Sequence, residues 1–254
     1  MELRENELIL CTNCKNELTG KSNFCNHCGQ ARNHSEITSQ PDKKQNLHQI
    51  AAFFGIELII CLSALLIENH SLTLTLFYDG LMAIIAICFF SINWQENKLI
   101  LKWPNFSLKN IAGLVIATIL ASLIVQFLVA NLNQLVFKEN SSFYLNYIFH
   151  PYGKSIMIVS IALFPALFEE LAYRGFLMER LLKVVDEKET IYITSILFFF
   201  IHLSIFSFFW MLPLGLILAY VRIKTKTIWY GVIMHFFFNL TACLFEIYIY
   251  GDLF

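Results

Sequence analysis

Apolar residues gather into long runs along this chain, over about residues 47–67, 72–93, 110–130, 155–174, 191–209, 210–221 and 228–250. Most of these runs are near the twenty residues that a helix needs to cross a bilayer. The pattern therefore predicts an all-α polytopic membrane protein of about seven transmembrane helices. The region 191–221 is the hardest to divide, because Pro213 and Gly215 are expected to break a helix there and residues 210–221 are too short to cross straight. Ahead of the spans the chain is polar. Residues 1–30 carry four cysteines, and residues 31–46 are rich in Asn, Ser, Gln and Lys with no periodicity, as expected of a flexible linker. The membrane part divides into N-terminal helices over 47–153 and a second block over 154–250, which holds most of the polar exceptions.

Composition agrees with the pattern. At 57% hydrophobic residues and a mean hydropathy of +0.60 the chain is too apolar for an ordinary soluble domain. A formal net charge of -1 shows neither the basic footprint of a nucleic-acid binder nor an acidic tail. The mixed-charge opening from Met1 to Glu7 does not have the form of a signal peptide, so insertion is expected to rely on the later helices. With a cytoplasmic amino terminus the inner segments hold Lys98, Lys102, Lys109, Arg174, Arg180, Lys183, Lys188, Arg222, Lys224 and Lys226, and the outer segments only Lys138 and Lys154. That positive-inside bias predicts a multi-pass protein of the cell membrane with its amino terminus in the cytoplasm.

The same orientation keeps the N-terminal thiols in a reducing compartment. Cys11-x-x-Cys14 and Cys25-x-x-Cys28 form two knuckles with ten residues between them, the spacing of a zinc ribbon. Four thiolates around one structural Zn2+ would fold a module too small to bury a core of its own. His27 stands inside the second knuckle and competes as a ligand, although four cysteines complete a set without it. A redox dithiol is the alternative. Cys61, Cys88 and Cys243 lie in apolar runs and read as packing residues.

Three short segments place acid, base and amide groups inside the second membrane block: Glu169, Glu170 and Arg174, then Phe198 and His202, then His235 and Asn239. Ionisable side chains at bilayer depth point to function. Taken singly, Glu170 and Arg174 could be an ordinary ion pair four residues apart, and each histidine a hydrogen-bonded packing residue. Counting along ideal helices puts Glu169 about 9 Å inside the membrane core, His202 about 16 Å and His235 about 10 Å from the cytoplasmic face. All three border one half of the membrane. On an ideal helix Arg174 lies about 40° from Glu170 and about 140° from Glu169, so it is expected to neutralise Glu170 and leave Glu169 unpaired. Glu169 and His202 would then activate water, while His235 and Asn239, four apart on one face, donate to an oxyanion. Glu57 and Asp79 also fall within spans, either as helix-helix contacts or as part of a cavity. Ser195, Ser204 and Ser207 lack a nucleophile elbow and read as helix-polar residues.

In this order the segments resemble the Glu-Glu-x-x-x-Arg, Phe-x-x-x-His and His-x-x-x-Asn pattern of the intramembrane endopeptidases that include type II CAAX prenyl proteases and bacteriocin-processing or self-immunity proteins, the CPBP or Abi family. The resemblance covers roughly residues 155–245, and every motif position is present. It implies hydrolysis of a peptide bond near the cytoplasmic interface, in peptide maturation or bacteriocin self-immunity, with a peptide or protein substrate met in the lipid bilayer. Glu169, His202 and His235 also match a common catalytic zinc set of one carboxylate and two imidazoles, so a metal-dependent and a metal-free mechanism both stand. The lack of a His-Glu-x-x-His helix favours the metal-free one. The competing reading is a non-catalytic membrane adaptor or sensor that recruits a protein partner through the ribbon. An unpaired Glu169 has no purpose in that reading.

Overall fold

The computed structural model describes residues 11, 13–14, 16, 24–25, 27–30, 40–67, 71–104, 106–136 and 142–251. The chain divides into two compact units, Met1–Gln45 and Asn46–Phe254. Seven helices carry most of the described residues: α1 (Gln40–Leu65), α2 (Leu72–Ile92), α3 (Leu108–Val136), α4 (Gly153–Leu181), α5 (Glu187–Phe200), α6 (Phe208–Thr225) and α7 (Trp229–Tyr250). No strand occurs among the described residues. Residues 31–39 of the expected linker lie outside the described residues, but α1 begins at Gln40, so the end of that segment is helical and not a tether.

Six of these helices, all but α5, are long and apolar enough to cross a membrane. Sequence reading expects seven, and the difference lies in 191–221. α5 has 14 residues, about 21 Å of helix against a core of about 30 Å. It starts on a capping box, in which Asp186 Oδ1 accepts from Glu189 N at 2.7 Å and Glu189 Oε2 accepts from Asp186 N at 3.3 Å. The break falls at residues 201–207 and not at Pro213. Leu203 adopts a left-handed conformation with φ 50°, which no helix continues through. Pro213 sits in the second turn of α6, where it costs a single backbone bond, to the Phe209 carbonyl. The helix absorbs it.

α4 is the central element of the membrane unit. Its Ala172, Tyr173, Phe176 and Leu177 are buried against Phe53 of α1, Ala86 of α2 and Phe198 of α5. Gly175 lets the Phe90 ring of α2 approach so closely that a Cβ there would meet it at 2.9 Å. α7 packs on α3 and α4, and α5 packs on α6. Large apolar residues such as Ile59, Phe77, Ile116, Leu120 and Phe127 face outward, the arrangement a lipid solvent allows and water does not.

α4 is not a uniform α-helix. Ile158–Leu163 and Glu170–Leu177 are π-helical, and regular turns lie between them. Wider turns of this kind change which side chains share a face, and they recur at functional sites.

Candidate active site

The second π-helical segment begins at Glu170 and carries Glu170 and Arg174, and Glu169 ends the regular turns just before it. Arg174 Nη1 meets Glu170 Oε1 at 3.0 Å, and both side chains are fully buried. Arg174 therefore serves Glu170 and not Glu169, as the helix angles predict. Its guanidinium is held twice more: Nη2 donates to Gly215 O at 3.3 Å, and the group lies 4.4 Å from the centre of the Phe198 ring. Phe198 is thus the wall on which the arginine rests.

His235 joins the pair from α7. Its Nδ1 lies 3.1 Å from Glu170 Oε1, the oxygen that Arg174 also holds. An ionised carboxylate only accepts, so Nδ1 carries the proton and Nε2 is turned toward Glu169, whose Oε2 is 3.8 Å away. That gap is longer than a hydrogen bond. Glu169 Oε2 is buried without a hydrogen-bond partner, while the side chain as a whole is 30% exposed. Glu170 Oε2 is also buried without a partner, so the two glutamates differ in that Glu170 is locked through Oε1 between two basic groups, whereas Glu169 is held by neither and is partly exposed beside an imidazole nitrogen.

His202 lies in the turn after α5, not within a helix. Its Nδ1 is 2.7 Å from Phe198 O, a C-terminal carbonyl with no helical donor of its own. A carbonyl cannot donate, so Nδ1 must, and Nε2 is left as the lone-pair nitrogen. The His202 and Phe198 rings are 5.0 Å apart, and Phe198 and His235 are 6.0 Å apart. One phenylalanine thus touches the arginine and both histidines. Asn239 Nδ2 donates to Ile161 O on α4 at 2.9 Å.

Glu57 and Asp79 meet the site from another side. With Glu169, Pro165 and Phe168 they line a small cavity of about 90 Å³. Tyr173 donates to Glu57 Oε2 at 2.8 Å, Ser160 donates to Asp79, and Tyr147 donates to Ser160 at 3.3 Å. Both readings open in the sequence hold, since these acids make helix-helix hydrogen bonds to α4 and also line a cavity. Two glycines were not legible as part of the site. A Cβ on Gly231 would meet Glu170 Oε2 at 2.6 Å, and one on Gly215 would meet Ser195 and Phe198 at 3.3 and 3.4 Å. Ser195 and Ser207 donate to backbone carbonyls at 2.7 and 2.6 Å, as helix-polar residues do.

The N-terminal unit holds a different constellation. Cys11 and Cys28 bring their Sγ atoms to 3.7 Å, Cys14 and Cys25 to 3.6 Å, and all four lie within 4.8 Å of one another. A tetrahedron with bonds of about 2.3 Å to sulfur has edges of about 3.8 Å, so the quartet fits a zinc ion. The knuckles are closed alike, by Cys11 N to Asn16 O at 2.8 Å and Cys25 N to Gln30 O at 2.9 Å, and Gly29 takes the positive φ of 69° that the second turn needs. Backbone N–H groups, foremost that of Cys14, pull the Cys11 thiol down to about 6, and that of Cys28 lowers Cys25. His27 contributes its backbone N–H to Cys25 Sγ at 3.5 Å, and its ring is outside the quartet. Among the described residues, this is the set of three or more metal-binding side chains whose ligand atoms converge so closely.

No curated protein and no solved structure matches the chain. Residues 151–241, the segment that holds all the motif residues from Glu169 to Asn239, match the family described as type II CAAX prenyl endopeptidase, Rce1-like.

Proposed function

We propose that this chain is an intramembrane endopeptidase in which Glu169 is the general base. The family match over residues 151–241 supports peptide-bond hydrolysis in the membrane. The observation that carries the assignment of roles is the asymmetry of the glutamates: Glu170 is fully buried with its Oε1 held by Arg174 and His235, whereas Glu169 is held by neither, is 30% exposed and turns Oε2 toward His235 Nε2. Glu169 takes a proton from water as the water oxygen bonds to the scissile carbonyl carbon, and His202 offers Nε2 as a second acceptor for that water. The oxyanion so formed accepts hydrogen bonds from His235, protonated on Nε2, and from the second Asn239 N–H. Glu169 returns the proton to the amine as the C–N bond breaks. Glu170 and Arg174 hold His235 in place and do not touch the substrate. Glu169, His202 and His235 are donor types suited to zinc, but their ligand atoms do not converge as those of the four cysteines do, so no step is routed through a metal here.

The substrate is a peptide or protein met in the bilayer, cut near the cytoplasmic interface, with the amino terminus of the enzyme in the cytoplasm. A structural Zn2+ on Cys11, Cys14, Cys25 and Cys28 makes the N-terminal unit a ribbon that docks a protein partner. Purified protein in detergent, offered prenylated and unprenylated C-terminal peptides and read by mass spectrometry, tests the activity. One new cleavage product with matching amine and carboxyl ends supports it. Intact peptides in every arm, with and without added zinc, reject it.

A further inference from the structure

We infer that Glu57 on α1 is a positioning residue of the site: its carboxyl group holds the Tyr173 hydroxyl, and through the Tyr173 ring it fixes Phe198, the wall shared by Arg174, His202 and His235. α1 lies outside the stretch that matches the endopeptidase family, so neither the motif nor the match gives it a role. Glu57 is nonetheless only 2% exposed, and residues 50–65 contain no other Asp, Glu, Lys, Arg or His. A carboxyl group at that depth is costly and points to function.

The contacts run in one line from α1 to the histidines. Tyr173 is buried and donates to Glu57 Oε2 at 2.8 Å, which gives its hydroxyl the acceptor that a buried phenol requires. With its Cβ end set by α4 and its hydroxyl set by α1, the ring is held at both ends. Its neighbours are Phe53 of α1 at 5.8 Å and Phe198 at 5.3 Å, both met edge-on. Phe198 is fully buried and is bordered in turn by the Arg174 guanidinium at 4.4 Å, His202 at 5.0 Å and His235 at 6.0 Å. In a close-packed interior a tilt of Tyr173 therefore displaces Phe198 and the imidazoles that rest on it. Glu57 also lines the cavity that Glu169 lines, which keeps the link within the site.

This inference rests on the proposed peptidase reading for its kinetic arm alone, and its spectroscopic arm stands apart. The full-length protein in detergent is labelled with carbon-13 histidine, and the ring signals of His202 and His235 are assigned with His202→Gln and His235→Gln. Both rings lie beside Phe198, so its ring current reports any displacement. Glu57→Leu and Tyr173→Phe should each shift both signals, whereas Glu57→Gln, whose amide oxygen still accepts from Tyr173, should leave them near their wild-type positions. In peptide cleavage the first two variants should lose about 10–100-fold in kcat with KM within about twofold, and Glu57→Gln should recover most of the loss. The double variant Glu57→Leu with Tyr173→Phe should turn over no more slowly than the slower single, since both break one link. Should the Glu57→Leu protein not fold, Tyr173→Phe keeps the ring, deletes only the hydroxyl and carries both readouts. Wild-type histidine signals in Tyr173→Phe, even with a lowered unfolding temperature, overturn the inference, because the bond then only stabilises the fold. So does a Glu57→Gln protein with signals shifted as far as in Glu57→Leu, because Glu57 then acts by its charge and not by this bond. Absence of cleavage by the wild-type protein counts against the peptidase reading, and the histidine signals then judge the link by themselves.

Discussion

Glu170 and His235 meet at 3.1 Å through Oε1 and Nδ1, and Arg174 holds that same oxygen at 3.0 Å. A single buried carboxylate oxygen thus joins two helices and three motif residues. The arrangement separates the work of the adjacent glutamates: Glu170 fixes the imidazole, and Glu169 is left with the oxygen that faces it.

Replacing Glu170 by glutamine keeps the shape but leaves the fully buried Arg174 without its counter-charge. A loss of about 3–5 kcal/mol is expected for a buried pair broken on one side. It should appear as low yield or a sharply reduced unfolding temperature in detergent. Wild-type stability of Glu170→Gln would contradict a locked Glu170.

Gly231→Ala should disturb the same carboxylate, since the added Cβ would sit 2.6 Å from Glu170 Oε2. Turnover is expected to fall by on the order of 10-fold or more, as for other small displacements in a positioned site. Gly55→Ala, whose Cβ meets nothing within 4 Å, is the control and should keep wild-type turnover. Equal turnover in both variants would remove Gly231 from the site.

How much of this was readable in advance differs by feature. The spacing of Glu169, Glu170 and Arg174, and of His235 and Asn239, gave the motif residues and the Arg174–Glu170 pairing, because side-chain direction on a helix follows from residue number. The turn at 201–207 was hidden, since residues on both sides of it are apolar and hydropathy reports burial, not backbone direction. Gly231 and Ile161 were invisible for another reason. Their roles depend on which residue of another helix comes opposite, and one chain read in order does not reveal that.

One zinc per chain is expected on the cysteine quartet. Elemental analysis of the full-length protein should find about one equivalent, and Cys11→Ser should lose it. Zinc retained at one equivalent in Cys11→Ser would reject the ribbon. Zinc binds the thiolate form, so retention should fail as the cysteines are protonated in acid.

A junction between helices supplies a pH test away from the membrane core. Glu96, between α2 and α3, bonds Lys183 and meets Arg180 Nη2 at 3.0 Å, and Lys183 foremost holds its carboxyl below the usual range. A lowered folded value means stability that is present above the ordinary glutamate pKa of about 4.3 and is lost as pH falls through the folded value. The unfolding temperature of the wild type should therefore exceed that of Glu96→Gln at pH 6 and converge on it at about pH 3. A difference that stays constant over that range would contradict the pairing.

The most direct test of the central claim is peptide turnover by purified Glu169→Gln beside the wild type, with folding checked by the unfolding temperature. Glutamine keeps the size and hydrogen-bonding reach of Glu169 and removes the base. The expected result is a fall in kcat of at least about 10²–10⁴-fold with the unfolding temperature nearly unchanged. Cleavage at the wild-type rate by a folded Glu169→Gln protein would contradict the account.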